Sequence, residues 1–189
     1  MIPIIKIFEK LFKIPKGPKC IECKSLLIES NCPNMDCPVE VASWIMMWAS
    51  PAAANISILD DKTTLKLAQY NLVIHPADLY DLSESDWLQI QTMDKIKIGK
   101  IMQQLNQSKS MDAKSLLYGF RIKGMDLEIA KNLTNKFQSI SKIRELKIES
   151  LMTVDRISEE TAFNIKRWFK DSFNKKMLKA LDKYGFQLD

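Results

Sequence analysis

The sequence predicts a mainly α-helical protein, in which a small four-cysteine knuckle precedes a compact domain of repeated helix–turn–helix units. Only five of the 189 residues are glycine, against an average share of ~7%, and such a composition favours helices. An apolar residue followed by Asp or Ser recurs after 34, 32 and 32 residues, at Leu59-Asp60, Met93-Asp94, Met125-Asp126 and Ile157-Ser158. A fixed period in this range indicates a repeated helical unit that buries its apolar face against a neighbour.

The charge distribution permits an anionic partner. The net charge is +5, and residues 116–189 hold the excess, with 15 basic and 10 acidic side chains. Such an excess is compatible with nucleic acid but does not require it. No secretory signal is expected, because lysines interrupt the apolar N-terminus at Lys6, Lys10 and Lys13.

The uncharged run from Val41 to Leu59 is long enough to raise the question of a membrane span. Serines, Pro51 and Asn55 interrupt it, so we interpret it as a helix over Val39–Ala49 followed by a linker. In that helix Trp44, Ile45 and Trp48 are predicted to face the core. No membrane partner is expected.

The cysteines form two close pairs, Cys20 with Cys23 and Cys32 with Cys37. Two tight knuckles can direct four thiolates at one point, which favours a structural zinc site with these four ligands. Two disulfides are the alternative, and a cytosolic context disfavours them. A closed four-thiolate site has no open position for catalysis. Before the cysteines, residues 2–8 are predicted to form a strand.

Apolar spacing and capping residues predict the remaining helices. They are expected over Asp61–Tyr70, Pro76–Leu82, Ser85–Ile90, Lys95–Asn106, Ala113–Phe120, Leu127–Phe137, Ser139–Leu146, Ile148–Met152, Glu159–Phe173 and Asn174–Tyr184. Ser83, Asp112 and Ser158 are predicted N-caps. In the helix that starts at Lys95, five apolar residues are expected to face the core: Ile96, Ile98, Ile101, Met102 and Leu105. His75, the only histidine, is interpreted as a surface residue without a function.

These features resemble the zinc-finger and helix-hairpin-helix region of bacterial NAD-dependent DNA ligases. The resemblance runs without a gap from Cys37 to Gly185. It depends on Cys32-x4-Cys37-Pro38, Ala77-Asp78-Leu79-Tyr80, Ser108-Lys109, Leu116-Leu117-Tyr118 and Trp168-Phe169 with Asn174. It implies an oligonucleotide-binding-fold remnant or linker in residues 1–15, a zinc knuckle and connecting helix in 16–55, and four helix-hairpin-helix repeats in 56–189.

The resemblance implies a module that binds double-stranded or nicked DNA in replication and repair, in the cytoplasm and associated with the nucleoid. The family's adenylation motif is Lys-x-Asp-Gly, and no Asp-Gly occurs in this sequence. We therefore expect no ligase activity from this chain alone, and a use of NAD only through separate catalytic domains. Two alternatives stay open: a piece of a split or truncated ligase that needs those domains, or a helical module that binds protein and has lost DNA binding.

The hairpin corners depart from the family pattern, which tends to be Gly-hydrophobic-Gly so that the backbone can approach a phosphate. Here they are Ile58-Leu59-Asp60, Thr92-Met93-Asp94, Gly124-Met125-Asp126 and Arg156-Ile157-Ser158. An N-cap Asp accepts the helix N–H groups itself and places a negative charge where a phosphate would lie. The sequence thus predicts self-capped corners, each stabilised by about 0.5–2 kcal/mol, with weakened DNA binding.

The candidate DNA contacts are one glycine and the basic residues near the corners and on the last helices. They are Lys62, Lys95, Lys123, Gly124, Arg156, Lys166, Arg167 and Lys170. Basic groups of this kind can follow a phosphate backbone. The alternative is a solvated helix surface, since Asp171 and Asp182 lie among them.

Overall fold

The computed structural model describes residues 17–189, and within this range the protein is helical, as predicted. Its α-helices are α1 Pro38–Ala49, α2 Asp61–Gln69, α3 Glu84–Leu88, α4 Lys95–Ser108, α5 Ala113–Gly119, α6 Leu127–Phe137, α7 Ile140–Glu145, α8 Ile148–Leu151, α9 Glu159–Lys170 and α10 Ser172–Lys183. A 3-10 helix, Pro76–Tyr80, lies between α2 and α3. The predicted strand at 2–8 and the predicted segment 1–15 fall outside the described residues, and the other domain boundaries stay predictions.

Helix α1 lies in the core and connects the cysteine segment to the later helices. Trp44, Ile45 and Trp48 are buried, as predicted. The indole N–H of Trp44 donates to the carbonyl oxygen of Gly119 at 3.0 Å, and that of Trp48 donates to the Tyr80 hydroxyl at 3.1 Å. In the part of the chain that the structure describes, no helix has the length and hydropathy that a membrane crossing requires.

The apolar face of α4 is narrower than the sequence predicted. Ile98, Ile101 and Leu105 are buried, at spacings of three and four residues. Ile96 and Met102, by contrast, are 74% and 43% exposed, so their predicted orientation toward the core is wrong. A single row of side chains is enough to attach α4, because only one side of this helix contacts the core.

Two predictions near the C-terminal helices are also wrong. The helix expected over Glu159–Phe173 ends at Lys170, because Asp171 has an extended backbone (φ −62°, ψ 136°) and caps the next helix. The Asp171 carboxylate accepts the backbone N–H groups of Phe173 and Asn174 at 2.9 and 3.0 Å. His75 is buried instead of exposed, since its ring packs against Phe173 at 5.3 Å between centroids.

Candidate nucleic-acid interface and metal site

The predicted repeat appears in the backbone as four similar turns. In each, the N–H of the fourth residue donates to the carbonyl oxygen of the first, over 2.9–3.3 Å, and both residues are buried. The pairs are Leu59 with Ile56, Met93 with Ile90, Met125 with Ile122, and Ile157 with Val154. We name these turns, each with its capping residue, corners 1 to 4: residues 56–60, 90–94, 122–126 and 154–158. The two buried side chains hold each turn in the core.

Each corner ends in a residue that caps the following helix, as predicted. The side chains of Asp60, Asp94, Asp126 and Ser158 accept the backbone N–H three residues later, at 2.7, 2.7, 2.7 and 3.1 Å. The hydrogen bonds from Thr63 lower the pKa of Asp60, so this carboxylate stays ionised at neutral pH. Corners 1 to 3 therefore each place a carboxylate at a helix N-terminus.

The corners lie in two pairs, and each pair is joined by side chains. In the first pair, Lys97 of α4 lies 4.0 Å from the Asp60 carboxylate. In the second pair, Arg156 of corner 4 donates to the Asp126 carboxylate of corner 3 at 2.9 Å. Lys97 is a residue that sequence reasoning missed, because its partner lies 37 residues earlier in the chain.

The central peptide of the turn has opposite orientations in corners 1 and 3. In corner 1 its N–H, from Ile58, donates to the Gln104 side chain of α4 at 3.3 Å. In corner 3 its carbonyl oxygen, from Lys123, instead accepts from the Asn164 side chain of α9 at 3.3 Å. Since the N–H and C=O of a trans peptide point in opposite directions, the Gly124 N–H points away from α9.

Backbone torsion angles separate the two pairs of corners in the same way. The third residue of the turn has a positive φ in corner 3 (Gly124, +83°) and corner 4 (Arg156, +67°), as in type II turns. Ile58 and Thr92 are the third turn residues of corners 1 and 2, and neither has a positive φ. A Cβ on Gly124 would also lie 2.8 Å from the Thr161 hydroxyl oxygen. Both the positive φ and the nearby Thr161 side chain therefore favour glycine at this position.

The structure brings Lys123, Gly124 and Arg156 together at the second pair of corners. Lys123 forms an exposed ion pair with Glu160 at 3.1 Å. Lys166 donates to the carbonyl oxygen of Arg144 at 2.7 Å. The remaining predicted basic contacts are exposed and form no ion pair within residues 17–189: Lys62, Lys95, Arg167 and Lys170. Lys62 and Lys95 lie at the first pair of corners, whereas Arg167 and Lys170 lie on α9.

The four cysteine sulfurs lie together. Sγ of Cys20 is 3.6 Å from that of Cys37, Sγ of Cys23 is 3.4 Å from that of Cys32, and all four atoms lie within 4.8 Å of one another. None of the four forms a disulfide. A tetrahedral ion with sulfur bonds of about 2.3 Å would separate its ligands by about 3.8 Å. The donor set and its spacing therefore fit a structural metal ion such as zinc.

A tight turn brings the two cysteine pairs together, although only eight residues separate Cys23 from Cys32. Glu29 and Ser30 have φ of 49° and 70°, as in a type I′ hairpin turn, and the flanking Ile28 and Asn31 exchange hydrogen bonds of 2.9 and 2.8 Å. This turn reverses the chain within two residues.

The thiols of the cluster differ strongly in acidity. Hydrogen bonds between Cys23 and the side chain and backbone of Ser25 lower the pKa of Cys23 to about 6. Burial raises the pKa of Cys32 to about 12 and also raises that of Cys37. Four thiolates would therefore not form together at neutral pH unless a cation offset their charge.

Known proteins match this chain along nearly its whole length. The helix-hairpin-helix motif family matches residues 115–178, which contain corners 3 and 4. A DNA ligase of Prochlorococcus marinus (strain NATL1A) is 30% identical over 192 residues, which cover 97% of this chain and 28% of the ligase. The DNA ligase of Bacillus velezensis is 27% identical over 94% of this chain and 27% of its own length, and that of Oceanobacillus iheyensis is 26% identical over 96% and 28%.

The chain is homologous to the C-terminal region of bacterial DNA ligases. It spans a little over a quarter of the length of these ligase relatives. The helix-hairpin-helix match includes corners 3 and 4, whose third turn residues have a positive φ. It does not include corners 1 and 2, whose third turn residues lack one.

Proposed function

We propose that this chain is a DNA-binding module that holds duplex or nicked DNA by its phosphates at corners 3 and 4, without reading bases. The single observation that carries the proposal is the orientation of the Gly124 peptide, whose N–H points away from α9. A free backbone N–H beside a helix N-terminus is a good donor to a phosphate oxygen, because the helix dipole also favours the anion. Corner 3 offers such a donor directly before α6.

Two cations accompany this N–H. Lys123 precedes Gly124 in the chain, and Arg156 reaches corner 3 from corner 4. Both form ion pairs, with Glu160 and Asp126 respectively, but the side chains are between 48% and 76% exposed. Exposed pairs contribute little stability, so a phosphate can replace the carboxylate partner.

Corners 1 and 2 are less suited to a phosphate. The Ile58 N–H is already bonded to Gln104. Lys62 and Lys95 offer cations at these corners, but Ile58 and Thr92 lack the positive φ that Gly124 and Arg156 have. The second candidate function, in which the helical scaffold contacts protein, depends on the apolar Ile96 and Met102 that α4 exposes in this half of the molecule.

Fluorescence anisotropy with a labelled nicked duplex, between about 25 and about 200 mM salt, tests the proposal. The logarithm of the affinity should fall with the logarithm of the salt concentration by about 0.9 for each phosphate neutralised. Lys123→Gln should weaken binding and reduce that slope by about 0.9, because it removes one phosphate contact. Lys62→Gln, a matched loss of an exposed lysine at corner 1, should leave the slope unchanged. No binding at low salt, or equal effects of the two variants, would refute the proposal.

We propose that zinc is the metal held by Cys20, Cys23, Cys32 and Cys37, and that its role is structural. Four sulfur donors at tetrahedral spacing suit zinc, and no ligand position remains for catalysis. Release of zinc on titration with a thiol reagent, in a ratio of about one ion per chain, tests this assignment. Protein purified in the presence of zinc that releases none would contradict it.

The homology favours one further candidate, in which this chain acts as a part of a DNA ligase. The sequence contains no Asp-Gly, so the Lys-x-Asp-Gly motif would have to come from another segment or chain. Adding this chain to the adenylation and oligonucleotide-binding domains of a ligase relative should increase nick sealing. If sealing is the same with and without the chain, this candidate is wrong.

A further inference from the structure

A cavity of about 610 Å³ lies beside corner 3, and phosphate binding by the corner does not use it. Four aromatic side chains line it: Trp44, Phe120, Trp168 and Phe173. Ile122 and Lys123, which belong to corner 3, line it as well. The cavity therefore shares two residues with corner 3, although Gly124 itself does not line it.

The aromatic wall is held in place by ring contacts. Phe120, which is fully buried, stacks on Trp168 with 4.6 Å between centroids and 15° between planes. Trp44 lies 6.4 Å from Phe173, and its indole N–H is fixed on Gly119. Trp168 and Phe173 are only half-buried, so part of each ring is available to a ligand.

The charged groups around the cavity include one cation that is not committed elsewhere. Arg121 pairs with Glu40 at 2.9 Å, and Lys123 pairs with Glu160. Arg167 is exposed and forms no ion pair with any residue in the range 17–189. Two acids also line the cavity: Asp36, which is exposed, and Asp171, whose carboxylate caps α10.

We propose that this cavity binds one unpaired nucleotide of a DNA that is held at corner 3, with its base against the exposed parts of Trp168 and Phe173 and its phosphate near Arg167. The proposal rests on the proposed function. Aromatic rings with an adjacent arginine are the usual surface for an unpaired base, since every base has a π-face that can stack. The cavity volume lies within the range of small-ligand sites, which is about 300–1,000 Å³.

The cavity position explains how such a nucleotide would reach it. Lys123 belongs both to the cavity and to the turn that presents the Gly124 N–H. A paired base is stacked inside the duplex and cannot enter, whereas a displaced base at a nick is free to do so. The cavity would thus favour a nick that carries a displaced nucleotide over a fully paired nick.

Two labelled duplexes test this inference with the full chain. One carries a simple nick, and the other carries the same nick with one unpaired 2-aminopurine nucleotide. Wild-type protein should bind the second duplex at least about fivefold more tightly, which is the lower end of the gain from stacking one base on an aromatic ring. The 2-aminopurine fluorescence should fall on binding, because stacking quenches it.

Trp168→Leu should abolish both the preference and the quenching, while its affinity for the simple nick stays unchanged. Phe163→Leu is the matched control, because Phe163 is a 54% exposed aromatic residue on the same helix and does not line the cavity. A melting curve for each variant verifies that it is folded, and the wild-type comparison does not depend on either variant.

The outcomes separate the two proposals. Equal affinities of wild-type protein for the two duplexes would overturn the cavity proposal and leave phosphate binding intact. A preference for the second duplex without quenching of 2-aminopurine would also overturn the cavity proposal. So would a preference that the Trp168→Leu protein retains. If neither duplex binds, both the proposed function and this inference are wrong.

Discussion

Removing the charge of Asp126 without removing its capping bond should strengthen DNA binding. The variant is Asp126→Asn, since Asn is about as good an N-cap as Asp and can still accept the Ile129 N–H that Asp126 now accepts at 2.7 Å. The loss of the half-exposed ion pair with Arg156 should cost about 0.2–1 kcal/mol of stability. The fold should therefore persist with a small decrease in melting temperature.

The expected gain in affinity has two parts. Two like charges about 4 Å apart in water repel by about 1 kcal/mol, so removing the carboxylate beside a phosphate should raise the affinity about fivefold. Arg156, which donates to Asp126 at 2.9 Å, must exchange this carboxylate for the phosphate in the wild-type protein but not in the variant. A more complete phosphate contact by Arg156 should make the plot of log affinity against log salt steeper, by at most about 0.9. Anisotropy with a nicked duplex at several salt concentrations measures both effects.

Asp94→Asn provides the matched control. Asp94 also caps its helix at 2.7 Å, but it follows a turn without a positive φ. The Asp94→Asn protein should bind the nicked duplex with an affinity and a salt slope within about twofold of wild type, because corner 2 is not expected to meet a phosphate. The assignment of DNA binding to the second pair of corners would be refuted if the two variants gained affinity equally. It would also be refuted if Asp126→Asn gained none while remaining folded.

Three further predictions concern stability. Cys37→Ser should lower the melting temperature and prevent zinc retention if the cluster holds a structural ion, and an unchanged melting curve with full zinc content would contradict this. Hydrogen bonds from Thr63 lower the pKa of Asp60 in the folded state, so its contribution is complete above the unfolded pKa and is lost as the pH falls through the folded value. Asp60→Asn should accordingly flatten the acid side of the stability–pH curve measured by urea unfolding, and an unaltered curve would count against it. Gly119→Ala places a Cβ 2.7 Å from the Trp48 ring and should cost about 1–3 kcal/mol. In the same unfolding assay Gly99→Ala, which meets nothing within 4 Å in the interior of α4, should stabilise by about 0.5–1 kcal/mol; the opposite order would be evidence against the packing described here.

The sequence was sufficient for features that depend on local chemistry. Period and capping residues predicted the four corners, because Asp and Ser at a helix start accept N–H groups wherever the chain folds. The cysteine spacing predicted the sulfur cluster for the same reason: each knuckle is formed by residues a few positions apart. The homology and the helical class agree with these predictions.

Features that depend on contacts between distant residues were not predictable in this way. The side chain that fixes the corner 1 peptide, Gln104, comes from 46 residues later in the chain, and the one at corner 3, Asn164, from 41 residues later. His75 became buried because Phe173 of α10 covers it. Residue spacing within one helix cannot show which of its faces a later helix will cover.

The opposed peptides of corners 1 and 3 also bear on how such a scaffold can evolve. In both corners, buried apolar residues anchor the turn, and a helix follows it. Rotation of a single peptide group therefore separates a corner that presents its N–H to solvent from one that keeps it inside. If corner 3 binds phosphate as proposed, a lineage can lose such a contact, or recover it through a glycine at the third turn position, without repacking its core. Within one chain, corners 1 and 3 hold the two orientations of that peptide.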